Sequence, residues 1–190
     1  MKLRTGAAQR PRLGETHCGD GFAVFGHEVS NVVVVDGLGH GPEAAHAARA
    51  FLQVAASMPG SSPLDILACA GQALLHTRGA AALVTRFDCC ARTLLVAGVG
   101  NVELRAIAHH PMQPLSVPGI VGRPTRPVRE YSFGIRPGDL IVIMTDGISR
   151  RADLAAVADD DPQRMAERIL REYGCDHDDA TCVVVRVEAP

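Results

Sequence analysis

Asn31-Val32-Val33-Val34-Val35-Asp36-Gly37-Leu38-Gly39-His40-Gly41 decides how this chain is read. A run of β-branched residues with no polar alternation predicts a strand buried on both faces. The run ends in a carboxylate and a glycine-rich turn. Pro42 then stands where a helix begins, with Glu43 in its first turn, and an alanine-rich stretch keeps helical spacing to Met58, where Pro59-Gly60 stops it. Working outward, Ser62-Pro63-Leu64-Asp65 starts a second helix whose buried face is Ile66, Leu67, Ala70, Ala73 and Leu74.

The rest of the chain is mostly strand. Residues 1–10 predict an opening strand, and Cys18-Gly19-Asp20 leads into Gly21-Phe22-Ala23-Val24-Phe25. Residues 82–87, 93–97 and 102–107 read as an antiparallel meander, with Gly98-Val99-Gly100-Asn101 as the turn between its last two strands. Pro114 to Pro127 is irregular. Strands at 129–133 and 140–145 flank the turn Pro137-Gly138-Asp139, residues 165–173 predict a helix stopped by Gly174, and residues 181–187 predict a final strand. Because β and α do not alternate, the order favours an α+β layered arrangement, two packed sheets with helices outside, over a doubly wound parallel sheet.

Three further aspartates share the setting of Asp36. Asp20 sits beside Gly19, Asp146 follows the apolar run Leu140-Ile141-Val142-Ile143-Met144-Thr145, and Asp178 precedes Asp179-Ala180-Thr181 and the apolar Cys182-Val183-Val184-Val185. Any one of them alone reads as a turn or helix cap. Together they read as a carboxylate cage for Mg²⁺ or Mn²⁺, hard ions that take oxygen ligands and keep several waters. Nothing suggests zinc, since C-x-x-C and H-E-x-x-H are absent.

With 190 residues, 47% apolar content and a formal charge of −2, the chain reads as one domain, 1–190, without the basic excess of a nucleic-acid-binding surface. No apolar leader or run of about 18 apolar residues occurs, so the expectation is a cytoplasmic protein that makes no membrane contact. The six cysteines are expected to be reduced, with Cys89-Cys90 packing rather than forming a redox pair. None has the C-x₅-R frame of a cysteine phosphatase, and Cys18 reads as packing. His109-His110 reads as surface, and Asp159-Asp160-Asp161 as a solvated loop or helix cap.

Gly19-Asp20, Asp36-Gly37-Leu38-Gly39-His40-Gly41, Ala97-Gly98-Val99-Gly100-Asn101-Val102, Thr145-Asp146-Gly147-Ile148 and Asp178-Asp179-Ala180-Thr181 resemble, in order, the motifs of the metal-dependent serine/threonine phosphatases of the PPM superfamily, and within it the SpoIIE branch. The resemblance runs over residues 19–187. It implies a four-layer αββα sandwich of two antiparallel sheets flanked by helices, holding two Mn²⁺ or Mg²⁺ ions, with a third left open. It implies that Asp36 bridges the ions, that the Gly37 carbonyl assists, that Asp20 serves the same pair directly or through water, and that Asp146 and Asp178 complete the other shell. Asp179 would orient its neighbour or serve an outer site. A bare domain of this length resembles the stressosome phosphatases of the branch, which implies phosphoserine or phosphothreonine on STAS-domain regulators of a partner-switching pathway as substrate. The alternative is a regulatory binding module that keeps the fold without activity.

Two departures stand out. Eukaryotic members have His directly after the Asp-Gly pair, where this chain has Leu38, which leaves the role of His40 as a general acid open against a turn that feeds the helix. They also use an arginine near the N-terminus to grip phosphate, and nothing in the spacing of Arg4, Arg10 and Arg12 selects one. Residues 114–127 are either a substrate-recognition loop or a long connection, and Gly119-Ile120-Val121-Gly122 is expected to pack near the site.

Overall fold

The computed structural model describes residues 1–26 and 28–190. Its elements run β1 (Lys2–Arg10), β2 (Asp20–Gly26), β3 (Val29–Gly37), α1 (Gly41–Ala56), α2 (Pro63–Ala73), β4 (Ala80–Asp88), β5 (Thr93–Val99), β6 (Glu103–Ile107), β7 (Tyr131–Gly134), β8 (Leu140–Met144), α3 (Pro162–Tyr173) and β9 (Ala180–Glu188). They form two antiparallel sheets, ordered β1-β9-β8-β6 and β2-β3-β4-β5-β7.

The valine run explains the layering. Val32 and Val34 of β3 point between the sheets, where they meet Leu83, Phe87, Ile141, Ile143, Val183 and Val185. Val33 and Val35 point the other way, into a second core with Ala48, Phe51 and Ala55 of α1 and Ile66, Leu67 and Ala70 of α2. The other sheet has the same arrangement, for Val142 and Met144 of β8 and Cys182 and Val184 of β9 lie under Met165, Ala166 and Ile169 of α3. A strand sandwiched between a sheet and a helix layer has no solvated face, which is why β3, β8 and β9 lack alternation. The expected αββα sandwich is the fold observed.

Helix boundaries follow their signals. Ser62 accepts a hydrogen bond from the Asp65 backbone N–H at 3.1 Å, Asp161 caps α3 through Gln163 N–H at 3.0 Å, and a proline opens each of the three helices. The acidic run 159–161 thus ends in a helix cap, and its flanking carboxylates pair with Arg164 and Arg186.

The expected meander is corrected. β4 and β5 pair, but β6 leaves for the other sheet and pairs with β8. The Gly98–Asn101 turn is therefore a crossover between sheets. The strands on either side of Pro137-Gly138-Asp139 likewise part, with β7 on β5 and β8 on β9. His109 and His110 follow β6 and lie on no strand; both are exposed, their rings are 4.4 Å apart, and His109 Nδ1 lies 2.7 Å from the buried Asp139 carboxylate. Residues 114–127 hold to the sheet through single bridges, Val117 to Val99 and Val121 to Ala80. No helix among the described residues is long and apolar enough to cross a membrane, and the six cysteines are all free.

Candidate metal centre

The ends of four strands meet at one edge of the sandwich. Asp20 opens β2 and pairs in register with Asp36, the penultimate residue of β3. From the opposite sheet, Asp146 follows β8 and Asp178 precedes β9, two strands that pair side by side. One hydrogen bond ties the sheets together here: the Thr145 hydroxyl donates to Asp20 Oδ2 at 2.7 Å, and itself accepts from the Thr181 backbone N–H at 3.0 Å. Asn101, at the crossover, donates from Nδ2 to Asp146 Oδ2 at 2.7 Å. Asp178 Oδ1 accepts from the Asp179 N–H at 2.9 Å. Asp179 Oδ1 accepts from the Arg12 N–H, also at 2.9 Å.

Glycines allow this convergence. A Cβ on Gly37 would lie 2.1 Å from the Ala44 carbonyl oxygen of α1, and one on Gly19 would lie 2.7 Å from Asp179 Oδ2. Backbone approaches this close need the missing side chain. Gly37 N–H also donates to the Gly19 carbonyl at 3.1 Å, which locks the β2 and β3 ends together.

The carboxylates raise one another's proton affinity. Asp36 is pushed up to about 8, first by burial and then by the charges of Asp20, Asp146 and Asp178, with Asn101 opposing weakly. Asp20 is pushed up to about 7, mainly by burial, against the Thr145 hydrogen bond. Asp178 is raised by burial and by Asp146. Cys18 is pushed up to about 12 by burial and the neighbouring Asp20, and its thiol donates to the Arg10 carbonyl at 3.3 Å. It is a protonated packing group, consistent with its reading from sequence.

The donor set fits a hard divalent cation. All the donors are oxygens, their negative charges repel one another, and Asp179 Oδ2 is buried without a hydrogen-bond partner, an arrangement that costs stability until a cation balances it. Among the described residues no three acidic, imidazole or thiol groups stand close enough to share one ion by themselves. An ion held here would take few protein oxygens and draw the rest of its ligands from water, as suits Mg²⁺.

These shifts predict a pH dependence for the metal-free protein. Asp20 and Asp36 hold protons in the fold that the unfolded chain, titrating near 3.8, has already released. Between about pH 4 and pH 8 the unfolded state therefore binds fewer protons, and stability falls as pH rises, by at most about 1.4 kcal/mol per pH unit for each carboxyl. Thermal melts in chelator should show a melting temperature that drops from pH 5 to pH 8. Added Mn²⁺ should restore it most at pH 8, and a flat chelator profile would contradict the clustering.

Beside Asp36 lies a cavity of about 420 Å³ lined by Leu38, Asn101, Pro118, Gly119, Ile120 and Arg150. Part of the 114–127 segment thus walls the cavity into which Asp36 opens. His40 is turned to Glu15, its Nδ1 2.7 Å from Glu15 Oε1. Of the N-terminal arginines, Arg4 pairs with Glu188 at 3.1 Å and Arg10 with Asp176 at 2.9 Å. Sequence reasoning gave no role to Thr145 and took Asn101 for a turn residue. Their side chains reach carboxylates 125 and 45 residues away, and the one local signal was their place in the motifs that carry Asp146 and the crossover.

The family described as stage II sporulation protein E (SpoIIE) matches this chain over residues 27–188. The chain belongs to the SpoIIE family. A curated relative, phosphoserine phosphatase RsbX of Bacillus subtilis (strain 168), is 26% identical over 152 residues, 77% of this chain and 75% of RsbX. A structure from work on the bacterial stressosome as a modular system adapted to control secondary messenger signalling superposes with a TM-score of 0.92 at 32% identity, covering 98% of this chain and 100% of the other. The crystal structure of RsbX in complex with magnesium superposes with a TM-score of 0.88 at 21% identity, over 97% and 95% of the two chains. The architecture of this SpoIIE-family chain is accordingly the PP2C phosphatase fold.

Proposed function

We propose that this SpoIIE-family chain, as one domain over 1–190, is a cytoplasmic metal-dependent phosphatase of phosphoserine and phosphothreonine on STAS-domain regulators of a partner-switching pathway. The observation that carries the reading is the pairing of Asp20 with Asp36 at an edge where Asp146 and Asp178 from the other sheet raise the proton affinity of Asp36. Membership of the family, the likeness to a phosphoserine phosphatase and the likeness to a structure from stressosome work support the activity and the substrate class.

Asp36 would bridge two Mn²⁺ or Mg²⁺ ions with help from the Gly37 carbonyl, Asp20 would hold the same pair, and Asp146 and Asp178 would serve the second ion. Bound there, the ions would supply hydroxide from coordinated water near neutral pH and neutralise the phosphoryl oxygens. The chain's own residues arrange the rest. Thr145 fixes the Asp20 carboxylate, Asn101 orients Asp146, and the Asp179 N–H holds Asp178. Asp179, anchored by the Arg12 N–H, keeps its second oxygen for an outer ion or a bound water. With Asp20, Asp146, Asp178 and Asp179 held in this way, ion binding would lose little of their side-chain entropy.

The test is phosphate release from a phosphoserine STAS-domain protein by chelator-stripped enzyme, with Mn²⁺ and then Mg²⁺ added back. Release that requires the metal is expected. A folded protein that binds metal and releases nothing from any phosphoprotein would instead be a binding module with the phosphatase fold.

A further inference from the structure

A phosphoryl dianion entering a cluster of four aspartates meets repulsion that ions offset only in part, and a guanidinium aimed at it would hold it in place. The arginines nearest the N-terminus do not provide one. Arg4 and Arg10 are ion-paired elsewhere, and Arg12 gives its backbone N–H to Asp179 without lining the cavity. Arg150 does line the Asp36 cavity. It stands four residues after Asp146, and it also lines a second cavity of about 410 Å³ that continues past Asn101 to Glu103, Gln113, Leu115 and Ser116. Arg150 thus lines both cavities, together with Gly100 and Asn101.

Its present partner is weak. Arg150 Nε lies 3.0 Å from Glu103 Oε1, with the two side chains 75% and 40% exposed. Such a pair contributes little to stability and is readily exchanged. We propose that Arg150 is the phosphate-binding arginine of this site, leaving Glu103 for the phosphoryl group of a substrate seated in the Asp36 cavity, with the Glu103 carboxylate as the competitor of that phosphoryl group. The inference rests on the phosphatase reading above. In the second cavity the exposed Leu115 offers an apolar contact to the residues that flank the phosphoserine.

The test is calorimetric titration of inorganic phosphate into Mn²⁺-loaded protein, with KM and kcat for p-nitrophenyl phosphate measured alongside. Arg150→Ala should weaken phosphate binding by roughly tenfold and raise KM to match with kcat largely kept, and Arg150→Lys should recover part of the loss. Glu103→Gln should move the other way, tightening phosphate by about two- to fivefold as the competing carboxylate goes. Arg78 is exposed and close to Gly39, 2.9 Å from where a Cβ there would stand, but outside the cavity lining. Arg78→Ala therefore removes one positive charge from the same region, and it should leave phosphate binding unchanged. Phosphate affinity within twofold of wild type in Arg150→Ala overturns the proposal, and so does an equal loss in Arg78→Ala, which would mean a diffuse charge effect. Phosphate binding that depends on Arg150 in a protein with no turnover would sink the phosphatase reading and leave the role of Arg150 standing.

Discussion

Asp36→Asn should lower metal-dependent phosphate release by on the order of 10³-fold, a loss of about 4 kcal/mol of transition-state stabilisation, while the metal-free protein melts higher than wild type. Both follow from one position. Asp36 pairs with Asp20 and is charged against Asp20, Asp146 and Asp178, so an amide of the same shape removes the group best placed to share ions. It also removes a carboxyl whose charged form is disfavoured by burial and by the neighbouring charges of Asp20, Asp146 and Asp178. A merely structural aspartate would give the opposite stability result, because its loss would orphan a hydrogen-bond partner. Release of phosphate from a phosphoprotein and melts in chelator, taken on the same preparation, decide between the two. Activity near wild type in the variant would remove Asp36 from the centre of the site.

Gly147→Ala should damage fold and site together. Its Cβ would stand 1.8 Å from the Asp179 backbone oxygen and 2.8 Å from its carbonyl carbon. Neither obstacle is a flexible side-chain end, so the loop after β8 and the approach to β9 must separate. That movement strains the Cys175 N–H to Gly147 carbonyl bond, 2.7 Å, and the Thr145 N–H to Thr181 carbonyl bond, 3.1 Å. A loss of about 3 kcal/mol is expected, which for a chain of this size lowers the melting temperature by roughly 6–12 °C. Because the same movement carries Asp146 away from Asp178, Mn²⁺ should also bind more weakly than to wild type. Gly71→Ala is the contrast. In α2, with nothing within 4 Å of its Cβ position, it should hold or raise stability by up to about 1 kcal/mol. Equal melting temperatures for the two variants would contradict the close approach at Gly147.

What could be read from the residues in order was what depends on neighbours in the chain. Val32 to Val35 announce a strand buried on both faces, Pro42 and Ser62 start helices, and Asp20, Asp36, Asp146 and Asp178 stand at the ends of apolar runs, because periodicity, caps and strand ends are local properties. The layering of two sheets with helices outside was legible in the order of the elements, and the resemblance to the PPM phosphatases implied its four-layer αββα form. Only the tertiary structure decided that β6 and β7 part company with their neighbours in sequence, since the sheet a strand joins depends on partners such as β8 and β5, 30 or more residues distant. It also decided that Thr145 holds Asp20 and Asn101 holds Asp146, that Arg4 and Arg10 are spent on distant carboxylates, and that Arg150 faces the cavity of Asp36. An arginine or asparagine carries no local sign of which carboxylate it will meet. That is settled by the register between sheets, where a shift of one residue would turn each side chain to the opposite face.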